Sequence, residues 1–343
     1  MAGERELLFL PLARFCEASY RVQQGAAHIW RVRPRLALLV VVVLLTAQRL
    51  CGQTLAPRAY VITPVGSNAV TLSSTVYHGE VLFDDAVPIT GASGNIGLIS
   101  PTYYRALNFF GRSANIVVGV PFATASFEGL VVNQELRTRR MGVGDGAVRF
   151  SVNVKGGPAM KVPQFMKWKQ KRLLGISIVV QFPSGQYDST RLINIGNNRW
   201  AFKPELGYSE RRGNWVLDAY GAVWFFTRNR EFFSHNSFFP GERQQTQEPI
   251  GVIETHLSYD VKPRLWISAD GNFWEGGKTS LNGAQNPTTL QRNSRIGATA
   301  AVPISKHQSL KFSYAKGAII RFGGNYQAIG IAWQYGWISG FPK

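Results

Sequence analysis

Glu254, His256 and Ser258, spaced two residues apart, carry the most reactive chemistry in this 343-residue chain. A histidine beside a serine is the beginning of a base–nucleophile pair, and a carboxylate oriented behind the imidazole would complete the arrangement used by hydrolases. Alternate residues of an extended strand, however, stand side by side on one face, and the local sequence supplies no third group that must reach the imidazole. Other charges fall on strand-like segments without a nucleophile: Asp145, Arg149, Lys203, Glu205, Asp270 and Arg295. Together with Glu254 and His256 these make eight candidates, and two non-catalytic readings stand beside the hydrolase. They line a path for solute, or they pair with one another and fill a narrow lumen. None of the histidines has metal-ligand spacing, and the Gly-x-Gly strings are not followed by a helix, so no metal, nucleotide or other cofactor is expected.

The elements that position these residues have a period of two. In LLGISIVVQF, Leu174, Ile176, Ile178, Val180 and Phe182 share one face, and Gly175, Ser177 and Gln181 the other. Trp200, Phe202, Leu206 and Tyr208 alternate with Lys203, Glu205 and Ser209, and after a turn at Gly213 the chain runs back with Trp215, Leu217, Val223 and Phe225 on one side. Twelve such segments follow one another, at 70–82, 95–109, 115–128, 143–155, 173–183, 198–210, 214–227, 248–260, 264–275, 293–303, 309–321 and 326–337. Most exceed the usual five or six residues of soluble strands. The alternation places Ile253, Leu257, Ile267, Phe273, Ile329, Ile331, Trp333 and Tyr335 outside and the eight candidates inside, which inverts a soluble barrel. Connections alternate between short and long, with two exceptions, 156–172 and 323–325. Trp200, Trp215, Phe226, Trp274 and Trp337, near strand ends, read as interfacial girdles.

Composition agrees: 35 Gly, 21 Phe, 12 Tyr and 9 Trp with only 17% charged residues favour one large barrel over two soluble domains. The run Leu36–Ala47, preceded by Arg31, Arg33 and Arg35, is too short for a spanning helix and reads as a secretory leader. This gives a leader over 1–52, a periplasmic lead-in over 53–69 and a barrel over 70–343. Both cysteines, Cys16 and Cys51, precede the expected cleavage point. Of the formal charge of +18, seven Arg against three Glu place +4 in the leader and leave +14 on the remainder. With no nucleic-acid motif present, that charge suits anionic lipid headgroups better than nucleic acid.

Four local patterns are distinctive: Arg58-Ala59-Tyr60; Gly142-Val143-Gly144-Asp145; Pro183-Ser184-Gly185-Gln186-Tyr187; and Asn194, Gly196, Asn198, Trp200, Phe202, Pro204 and Gly207 running into a strand. Together they resemble the family named for the meta-pathway of phenol degradation, whose members are regarded as outer-membrane transporters. The resemblance spans roughly residues 56 to 337, with Ser184 where the family pattern has Thr, and with ISGFPK following Trp337. It implies a bacterial outer-membrane location and passive uptake of small, hydrophobic or aromatic molecules. The expected partners are that solute, outer-membrane lipid and lipopolysaccharide, and the barrel assembly machinery. A lipase-like barrel hydrolase and a non-conducting structural barrel are the alternatives.

Overall fold

The computed structural model describes residues 56–82, 89–131, 134–191, 193–236 and 239–339. The leader, its cleavage zone and both cysteines lie outside these. In chain order the strands are β1 (Ser67–Leu82), β2 (Ile89–Phe109), β3 (Arg112–Gly119), β4 (Phe122–Val131), β5 (Gln134–Val143) and β6 (Ala147–Lys155). After the short helix α1 (Val162–Lys167) come β7 (Arg172–Gln181), β8 (Ala201–Arg212), β9 (Trp215–Phe226), β10 (Gln245–Gln247), β11 (Ile250–Lys262) and β12 (Leu265–Gly276). The remainder are β13 (Thr279–Leu281), β14 (Ala284–Asn286), β15 (Gln291–Pro303), β16 (Gln308–Ile320) and β17 (Gly323–Ile338). Strands β10, β13 and β14 form a small separate sheet within the connectors; the other fourteen form one sheet.

In the large sheet β3 and β4 are two halves of one crossing, and β5 and β6 two halves of the next, so the wall has twelve crossings. Every neighbouring pair is antiparallel. β17 pairs with β1, which pairs with β2, and the sheet closes on itself. Closure removes the free edges that an open sheet would expose to lipid, which is the condition for strands to cross a membrane. The outward face carries the apolar belt: Val70, Leu72 and Val76 on β1, Ile253 and Leu257 on β11, and Ile329, Ile331, Trp333 and Tyr335 on β17 are all exposed. The chain is an antiparallel transmembrane barrel of the outer-membrane type.

Three expectations change. The segment 129–142, read as a long loop, is the β4–β5 hairpin, in which Glu128 opposes Arg137 and Gly129 opposes Leu136. Charges there concealed strand because this hairpin rises beyond the apolar belt. Phe226 and Trp274 are not girdle residues. Trp274 pairs with Val252 and Asn293 on the inner face and is buried, and Phe226 packs against the same inner cluster. Both belong to an apolar cluster on the inner face, with Trp224, Ile250 and Val252. Val152 faces outward with Phe150, as read, yet it is buried on that face.

Candidate functional site

The inner wall brings six of the eight candidates into one network. The strand period sets their facing, and register sets their neighbours: Glu254 opposes Asn272, His256 opposes Asp270, and Glu205 opposes Ser177. Glu205 lies 3.3 Å from Arg149 Nη2 and 2.9 Å from Lys203 Nζ. Lys203 reaches Glu254 at 3.9 Å, Glu254 lies 3.7 Å from His256 Nε2, and His256 Nδ1 is 2.9 Å from Asp270 Oδ1. Asp270 also accepts from Ser268 Oγ (2.9 Å) and Thr299 Oγ1 (2.7 Å). Buried charges persist when paired and hydrogen-bonded, and this arc from β6 to β15 meets that requirement. Asp270 does stand behind His256, the third group that the local sequence did not supply. Ser258 Oγ makes no hydrogen bond to the imidazole, so a nucleophile–base contact is missing from the triad.

The other two candidates sit apart. Arg295 lies over the Trp274 ring, 5.8 Å from its centroid. Asp145 lies outside the strands, in the break between β5 and β6, and holds the connector between β7 and β8. Its carboxylate accepts from Gly185 N (3.0 Å) and from Asn197 N and Nδ2 (2.8 Å each). These three bonds explain why Asp145, Gly185 and the Asn-rich run recur together in the sequence patterns. Asn194 ties the same connector through Asp188 and Arg191, and a Cβ on Gly185 would lie 2.7 Å from Gly196 Cα. Beside it, Arg199 is half-buried, and desolvation lowers its guanidinium pKa to about 10.

The lead-in enters the lumen at the end that holds the short turns. Tyr60 is 1% exposed. Its hydroxyl lies 3.0 Å from Glu205 Oε1 and 3.1 Å from Ser177 Oγ, and Arg149 sits over its ring at 4.9 Å. Gly175 and Gly207 are directly opposed in the wall, and a Cβ on either would collide with that ring. Arg58 pairs with Asp260 at 2.7 Å and stands over Trp266, while its backbone N–H donates to Asp218. Ile62 packs with Met160 and Leu173, below which α1 contributes Phe165. The sequence marked Arg58 and Tyr60 as a pattern without assigning them a place. The signal available was the pair of inward glycines at equal register on β7 and β8, which leaves a ring-sized gap.

Opposite this filled arc, the wall is different. Thr71, Ser73 and Thr75 on β1, Ser100 and Thr102 on β2, and Ser313 on β16 face inward and remain half-buried, and Lys311 beside them is exposed. Hydroxyls at this spacing, with one cation, form a hydrated surface inside the barrel. Above it, Tyr77, Ile96, Ala125, Phe127 and Tyr326 make an inward apolar cluster.

A family model described as "Putative MetA-pathway of phenol degradation" matches residues 84–327. Among solved structures, the COG4313 outer membrane channel from Pseudomonas putida F1 superposes with a TM-score of 0.70 at 15% identity, over 83% of this chain and 100% of that one. The transport unit of the autotransporter AIDA-I from Escherichia coli is matched at a TM-score of 0.49 and 10% identity, covering 90% and 99% of the two chains, too low to argue from. No curated protein sequence matches. With the model spanning most of the barrel and the fold in agreement, the chain belongs to the MetA-pathway phenol-degradation family.

Proposed function

We propose that the protein is a passive outer-membrane channel for small molecules, including aromatic ones. The observation that carries this reading is the asymmetry of the inner wall. On the arc from β6 to β15 the charges are buried in mutual pairs, with the lead-in's Tyr60 against Glu205 and Arg149, whereas from β16 to β2 hydroxyls and Lys311 stay accessible. A structural barrel has no use for an accessible hydrated face inside a membrane, because close packing of that face would be more stable. The Tyr and Trp side chains above it give the same lumen an apolar component. The family name supports an aromatic solute, and the fold supports a channel; the solute's identity is part of the proposal. We assign the His256–Asp270 pair to the wall and give it no catalytic role, since Ser258 is not joined to it. Lipopolysaccharide and the assembly machinery are the partners such a barrel requires. Liposome swelling in isosmotic benzoate and in isosmotic arabinose tests the reading. Proteoliposomes are expected to swell faster than protein-free vesicles in both, and equal rates would overturn it.

A further inference from the structure

Where β9, β11 and β12 meet the long connectors, the inner wall carries an aromatic cluster that the charge network beside it does not account for. Trp224 opposes Ile250, and Trp274 opposes Val252, whose partner on β9 is Ala222. Between the two indoles the wall thus offers Ala222, Ile250 and Val252 and no polar side chain. Phe226 continues the row, its ring within 10° of parallel to Trp224 at 6.2 Å between centroids.

Each of these rings has a cation over it. Arg199 stands 4.6 Å from the Phe226 centroid, Lys203 5.7 Å from that of Trp224 and Arg295 5.8 Å from that of Trp274. The carboxylates nearby, Glu205 and Glu254, hold Lys203 but also serve Arg149 and His256. An apolar surface is left with a surplus of positive charge. Several donors around it have nothing to donate to. Arg199 gives Nη2 to Gln247, while its Nη1 has no hydrogen-bond partner among the described residues. Trp224 Nε1 has none either, nor has either end of the carboxamide of Asn272, two residues before Trp274 on the same face. Trp224 and Asn272 are only 7% and 6% exposed. Buried polar groups without partners are costly and rare, and several of them around one apolar surface have the composition of a small-molecule site.

We propose that this cluster binds a small aromatic carboxylate, its ring against Trp224 and Trp274 and its carboxylate accepting from Trp224 Nε1 and Arg199 Nη1. The proposal rests on the channel reading above and gives the solute a chemistry: planar, aromatic and anionic. A neutral sugar would cover the indoles but leave the positive charge without a counter-ion, and a hydrocarbon would leave the donors unpaired. An aromatic anion answers both.

Benzoate, benzamide and cyclohexanecarboxylate separate these requirements, because the second lacks the charge and the third the aromatic ring. Each is titrated against single channels in planar bilayers, with arabinose as the neutral sugar, and block of the current is measured. Benzoate is expected to interrupt the current at concentrations about tenfold or more below those needed of the other three. Trp224→Leu and Arg199→Gln should each weaken the benzoate block by about tenfold and still show discrete steps. Equal block by any of the other three solutes, or a benzoate block that a conducting variant retains in full, would overturn the site. If one variant fails to insert, the other decides. A parent that conducts but is not blocked by benzoate would refute the site and leave the channel reading standing, whereas a parent without steps would refute the channel reading itself.

Discussion

Replacing Tyr60 with alanine should widen the lumen while leaving the barrel folded, and the structure sets the size of both effects. The substitution removes a hydroxyl 3.0 Å from Glu205 and a ring beneath the Arg149 guanidinium. A hydrogen bond to a charged group contributes about 1.5 to 3 kcal/mol, and a partly exposed cation–π contact about 1 kcal/mol. Arg149 and Lys203 remain on Glu205, so the carboxylate is not left alone. The vacated space joins a hydrated lumen, and water takes up part of the lost bonding, which places the net cost near 2 kcal/mol. Closure through twelve crossings does not depend on Tyr60, and heat-modifiable migration in gels should persist with a lower transition temperature. Single-channel conductance should rise by about twofold, since the ring spans the inner face where Gly175 and Gly207 leave no other side chain. Tyr60→Phe is the control: it keeps the ring and the conductance and loses only the hydroxyl's share of stability. Parental conductance in Tyr60→Ala would refute the view that the lead-in narrows the path.

Two further substitutions test the assignment of faces. On β1, Val76 points to lipid and Thr75 into the lumen, so Val76→Lys should cost about 2 to 4 kcal/mol and prevent insertion, whereas Thr75→Lys should give folded barrel on the same gel. Tolerance of both would show that the facing is wrong. Asp270→Ala should lower thermal stability by about 3 kcal/mol, because His256, Ser268 and Thr299 lose their shared acceptor, while ion selectivity stays that of the parent. A selectivity change without loss of stability would place Asp270 on the path and not in the wall.

The barrel was legible in the sequence because one face of every crossing must be apolar. Ile253 and Leu257 against Glu254 and His256 reveal β11 at a glance, and the same contrast marks the other crossings. Where strands leave the membrane that constraint lapses, and the β4–β5 hairpin, with Arg137 opposite Glu128, then reads as loop. Alternation also assigns a face without stating what lies against it. It placed Glu205, Glu254 and Asp270 inside correctly, yet whether they meet water or one another depends on register across strands far apart in sequence. Inward aromatics such as Trp274 escaped for a related reason: an apolar residue near a strand end looks the same on either face until its cross-strand partners, here Val252 and Asn293, are known. The lead-in was harder still. Nothing local in Arg58-Ala59-Tyr60 indicates that it folds back onto Asp218, Glu205 and Asp260, contacts more than a hundred residues away.

The most direct test of the channel is a charge reversal on the open wall, Lys311→Glu, measured by single-channel recording of refolded protein in planar bilayers. Lys311 is the exposed cation among inward hydroxyls, and its field acts on ions in a low-dielectric tube. Discrete conductance steps in both proteins, with ion preference shifting toward cations in the variant, are the predicted result. Absence of steps in the parent, or identical selectivity in the two, would contradict the account.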